Sequence, residues 1–121
     1  MQKSFFIAIV LILLATATRG QMVTNVGLVL QMDSTANVLM PRIVKILPNT
    51  AAEAEPEITV GMFVIKVDDT YCRNASLKKI VNIINNGDEE GTPVSLTIGD
   101  DKDKVPIYPF VMRRGRPVGK D

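Results

Sequence analysis

Apolar and polar positions alternate along this chain with two different periods. Between Leu77 and Asn85 the apolar residues Leu77, Ile80, Val81 and Ile84 recur at helical spacing, with Lys78, Lys79 and Asn82 on the opposite face. Ser76 is a good N-cap for this helix, and Asn86-Gly87 a natural stop. From Val94 to Gly99 the period is two, as in a half-buried strand. Val26–Met32, Val38–Leu47 and Met62–Asp69 also predict strands, with Pro41 marking a bend or an edge position. Asp33–Asn37 predicts a turn. Asn49–Glu55 predicts a short helix capped by Asn49 or Thr50 and stopped by Pro56. Pro106 and Pro109 restrict Val105–Met112 to a sheet edge. This strand-rich order predicts an α+β, mostly β domain, a small partly open barrel capped by helices. A glycine, Gly27, stands near the start of the first strand, where it packs nothing and costs order.

The chain has 121 residues, enough for one small domain. Lys3, the apolar run Phe5–Ala15 and the small residues Ala15, Ala17 and Gly20 form a signal-peptide pattern over residues 1–20. Cleavage after Ala17 or after Gly20 fits equally. The alternative is an uncleaved membrane anchor through residues 5–17, although the apolar run is shorter than the ~20 residues of a spanning helix. Removing residues 1–20 takes away Lys3 and Arg19 and leaves 12 basic against 13 acidic residues, which gives no support for nucleic-acid binding. Arg113, Arg114, Arg116 and Lys120 read as a basic, solvated tail over residues 113–121, leaving a domain at residues 21–112. The single cysteine, Cys72, cannot form an intramolecular disulfide; it reads as a small apolar residue in an expected monomer, with a disulfide-linked dimer as the alternative. Histidine is absent, so there is no Ser/His or Cys/His pair and no histidine metal ligand. The acidic runs Asp88–Glu90 and Asp100–Asp103 lack calcium-loop spacing. No catalytic residue, metal or cofactor is therefore expected. Asn74-Ala75-Ser76 is an N-glycosylation sequon, although Ser76 is already explained as a helix cap.

Four segments in order resemble a PDZ domain. Asn25–Leu28 ("NVGL") is similar to the family's carboxylate-binding loop, and Arg42–Ala54 to its third strand and first helix. Ile58–Asp69 is similar to its Leu-x-x-Gly-Asp-x-Ile-x-x-Val-Asn/Asp-Gly element, and Asn74–Gly99 to its second helix, loop and following strand. The ending "GTPVSLTI" also resembles PDZ domains attached to secreted C-terminal processing proteases. The chain departs from the pattern at Asn25, Met62 and Asp69, where the family has Gly, Asp and Gly. The resemblance implies a barrel of five to six strands capped by two helices. It also implies a binding module that captures protein C-termini or extended peptides with apolar residues by strand addition. It assigns carboxylate binding to the backbone of Val26, Gly27 and Leu28, and the peptide groove to Val29, Leu30, Leu77, Val81 and Ile84. Leu77 stands where many members carry histidine, so an apolar ligand residue is expected two places before the C-terminus. The alternatives are an accessory piece of a secreted protease system, and a membrane-tethered module with a blocked groove.

Overall fold

The structure, a computed structural model, describes residues 20–86, 90–100 and 107–115. Residues 1–19, over most of which a signal-peptide pattern is expected, and the last six residues, 116–121, lie outside the described residues, as do Gly87 and most of the acidic run Asp100–Asp103. No helix among the described residues is long and apolar enough to cross a membrane.

Seven strands and one α-helix follow in the order β1 (Gln21–Val23), β2 (Leu28–Asp33), β3 (Met40–Ile46), β4 (Phe63–Val67), β5 (Thr70–Tyr71), α1 (Leu77–Asn85), β6 (Pro93–Gly99) and β7 (Ile107–Arg113). The sheet runs β1-β2-β3-β4-β6-β7, with β5 paired to β4, and every neighbouring pair is antiparallel. The expected α+β, mostly β architecture is therefore present, as a seven-stranded open sheet closed at one end by a helix.

Local sequence explains α1 well. Ser76 Oγ accepts the Lys79 N–H at 3.2 Å, and Asn86 ends the helix in the left-handed region, its own N–H donating to Asn82 O. Ile80, Val81 and Ile84 are buried, and Leu77 is half-buried against the same core. Across from them Val94, Leu96 and Ile98 of β6 and Leu28 and Leu30 of β2 complete one continuous core.

The helix expected at Asn49–Glu55 does not form; these residues are a series of turns. Its capping signals operate, since Asn49 N–H donates to Glu53 Oε1 and Glu53 N–H to Thr50 Oγ1. The first-turn amide of Ala52 bonds to Val26 O at 2.9 Å, and the segment makes one i→i+4 bond, Ala54 N–H to Thr50 O, and one i→i+3 bond, Glu55 N–H to Ala52 O. One turn bounded by Pro48 and Pro56 does not offset the cost of helix nucleation.

The basic tail also begins later than expected. Arg113 closes β7 and donates to Gly91 O at 3.0 Å. Arg114 is buried: its guanidinium donates to Ile84 O at 2.6 Å, Ile83 O at 3.3 Å, and to Thr92 Oγ1 and Pro93 O at 2.9 Å each. A cation against the last helical carbonyls satisfies groups that the helix leaves unpaired and meets the negative end of its dipole.

Cys72 is fully buried in the core. A disulfide-linked dimer through it is therefore disfavoured, because the sulfur is sealed from any partner. Desolvation pushes its thiol pKa from 9.0 up to about 12. Below pH 9 the thiol is neutral in both folded and unfolded chains; stability falls as pH rises from about 9 towards 12, because only the unfolded chain ionises there. A thiol reagent at pH 8 should leave the native protein unmodified and label it fully in denaturant. Labelling of the native protein at the rate of a free thiol would contradict this burial.

Candidate functional site

The candidate groove is built on β2 and α1, so the residues assigned to it must first be located. Val29 and Leu30 lie in β2 with 5% and 0% exposure, and Val81 and Ile84 lie on the inner face of α1 with 2% and 0%. Leu77 stands at the far end of the helix, half-buried. Leu30, Leu77, Val81 and Ile84 converge, but as parts of the closed core and not as the walls of an open cleft; Val29, although buried, is not part of that cluster.

The reason is β1, three residues the sequence pattern does not announce. It pairs antiparallel with β2 in the register Gln21↔Gln31, Met22↔Leu30 and Val23↔Val29. The opposite edge of β2 is held by β3. Met22 packs against the main core, and β1 as well as β2 touches α1. The edge of β2 beside α1 is therefore already paired, by the chain itself.

A tight turn joins the two strands. Gly27 N–H donates to Thr24 O at 3.1 Å and Thr24 N–H to Leu28 O at 2.9 Å. The Thr24 hydroxyl accepts from Leu28 N–H at 3.1 Å and donates to Leu28 O at 3.0 Å. Two of the three backbone amides assigned to carboxylate capture, those of Gly27 and Leu28, thus serve Thr24 in this structure. Gly27 has φ +95°, a left-handed value that favours glycine. A Cβ there would fall inside the side chain of Thr50, whose hydroxyl donates to Leu47 O at 2.7 Å. The room beside Gly27 is filled by Thr50.

Asn25 does not take up the unusual backbone angle expected of a glycine replacement. It works through hydrogen bonds: its N–H donates to Asn85 Oδ1 at 2.9 Å and its Nδ2 to Asn85 O at 3.3 Å, while its own carbonyl accepts from Gly115 N–H at 2.9 Å. Its Oδ1 is buried without a partner among the described residues. The loop is thus bolted to the C-terminal end of α1 and to the chain after β7. Met62, in place of the family's aspartate, is buried and joins the core. Of the Asp68-Asp69 pair it is Asp68 that adopts positive φ, +50°, and its carboxylate accepts the Ser95 N–H at 3.0 Å.

The remaining candidates lie elsewhere. Asn74 is exposed with φ +59°, and its Oδ1 accepts the Leu39 N–H at 3.1 Å. An open depression of about 590 Å³ lies on the polar flank of α1, lined by Asp68, Ser76, Lys78, Lys79, Asn82, Ile83 and Asn86. It is on the face turned away from β2.

No protein-family model and no curated protein sequence matches the chain. Among solved structures it is similar to the PDZ domain of a carboxy-terminal protease from Vibrio cholerae, solved in complex with a peptide. The TM-score is 0.65 at 18% identity, and the match covers 78% of this chain and 96% of that one. The fold is therefore PDZ-like.

Gly27→Ala combines a disfavoured backbone angle with overpacking against Thr50, together about 2–4 kcal/mol. The melting temperature should fall by roughly 10 °C or more. An unchanged melting temperature would contradict the turn described here. Substitutions at Gly27 therefore report on folding before they report on binding.

Proposed function

We propose that this protein is a secreted, non-catalytic module that binds extended peptides by strand addition along β2. The observation that carries the reading is β1 itself: an extended segment in antiparallel register with β2 and in contact with α1. A PDZ-like fold whose solved neighbour holds a peptide supports it. Strand addition supplies main-chain hydrogen bonds, and the neighbouring side chains supply selectivity. With Val81 and Ile84 sealed in the core, half-buried Leu77 is the α1 side chain that favours an apolar ligand residue, which contributes roughly 1.5–3 kcal/mol if fully buried. A total affinity in the micromolar range, about −8 kcal/mol, follows for a short peptide. Capture of a C-terminal carboxylate by the loop requires Thr24 to release Gly27 and Leu28, so it is the more demanding form of this function.

Titration with a peptide library carrying free and amidated C-termini tests the reading, monitored by backbone chemical shifts. Apolar peptides should bind with shifts concentrated in β2 and α1. Absence of binding by every peptide, or shifts confined to other surfaces, would overturn it.

Secretion is proposed from the leader pattern over residues 1–20. The mass of the protein recovered from the medium should correspond to an N-terminus at Thr18 or Gln21. An intact Met1 in a membrane fraction would favour the tethered form instead.

A second reading, delivery of substrates to a separate protease, is favoured by the neighbour's origin in a carboxy-terminal protease. Stable co-purification with a hydrolase would be its signature.

A further inference from the structure

β2 is six residues long, but β1 covers it only from Val29 to Gln31. Leu28 is closed off by the turn, through Thr24. Met32 pairs with Pro41 on the β3 side and with no β1 residue among the described ones. Among the described residues the strand on this edge is three residues long. It is also lightly anchored: Met22 alone of its three residues packs against the core, Gln21 is half-buried, and Val23 is 43% exposed. The Gln21–Gln31 side-chain contact, at 3.5 Å, is long. By contrast, what lies beneath and beside β1 is firmly built. Leu28 and Leu30 are fully buried, Asn25 is held to Asn85 by two hydrogen bonds, and Arg114 holds the carbonyls of Ile83 and Ile84.

We propose that β1 is a built-in occupant of the strand-addition edge, and that the protein's ligands are extended peptide segments that displace it, placing an unbranched apolar residue where Met22 lies. This rests on the strand-addition reading above and specifies its ligand. The side-chain requirement follows from alternation. In a strand only every second residue faces the core, and here that residue is Met22, with Gln21 and Val23 turned outward or sideways. A free carboxylate is not required, because the Gly27 and Leu28 amides are already engaged by Thr24. Internal segments therefore suit the site as well as chain ends.

Competition from β1 has a quantitative consequence. A tethered strand acts at an effective concentration of order millimolar. A free peptide with the same sequence must overcome this before it binds. Weakening β1 without touching β2 or α1 should therefore tighten peptide binding.

The test uses the full chain and its Met22→Asp variant, with an acetylated and amidated peptide copying Gly20–Thr24 as the probe. The copy with aspartate in place of methionine serves as the control. The variant should bind the probe at least tenfold more tightly than the parent chain, and neither chain should bind the control. In the parent chain at millimolar probe, hydrogen exchange should show residues 21–23 losing protection while β2 keeps it. Equal or weaker probe binding by a folded variant would overturn the proposal. If the variant does not fold, the exchange measurement on the parent decides: persistent protection of residues 21–23 with probe bound overturns it. Failure of the probe where other library peptides bind overturns the Met22 rule alone. Failure of every peptide overturns strand addition itself.

Discussion

The edge of β2 beside α1 must be paired. Leu28, Val29 and Leu30 are almost entirely buried, so their peptide groups cannot turn to water. A buried amide or carbonyl left unsatisfied costs about 1–3 kcal/mol. This chain meets the demand with its own residues 21–23. Much of the local detail follows. The tight turn at Thr24–Gly27 reverses the chain onto β2, Gly27 supplies the left-handed angle, and Thr50 packs into the space that a side chain there would need.

Around that hairpin the structure concentrates its polar links. Asn25 joins the turn to the last residue of α1 and to Gly115, and Arg114 caps the same helical turn from the other side. These contacts fix one end of the groove. The other end, at Leu77 and beyond Gln21, has only a half-buried side chain and no comparable network among the described residues. Fixed at the turn and lightly held at the strand is a suitable condition for an edge that exchanges occupants, since the receiving surface need not be rebuilt each time.

The sequence was most legible where a local pattern and the tertiary environment agree. The Leu77–Ile84 stripe with its Ser76 cap, and the alternation at Val94–Ile98, are dictated by burying one face, and both elements appear with nearly the expected bounds. The order of the segments carried the PDZ-like fold despite only 18% identity to the similar solved structure. What escaped was non-local. The three residues of β1 are too few to show a period. Asn49–Glu55 has good helix formers, but Pro48 and Pro56 leave room for a single turn with one i→i+4 bond. Arg114 looks like tail charge until the carbonyls of a helix thirty residues earlier are seen around it. Gly27 stands out in the sequence as a glycine in a strand, yet Thr50, which fills the space beside it, lies in a part of the chain that no local window contains.

The central question is whether β1 lies on β2 in the unliganded protein in solution. Nuclear Overhauser contacts across the hairpin measure this directly. Cross-strand contacts are expected for Val23 with Val29 and Gln21 with Gln31, together with contacts from the Met22 methyl group to core side chains. A spectrum with residues 21–23 showing none of these contacts, while β2–β3 and α1 remain folded, would contradict this pairing.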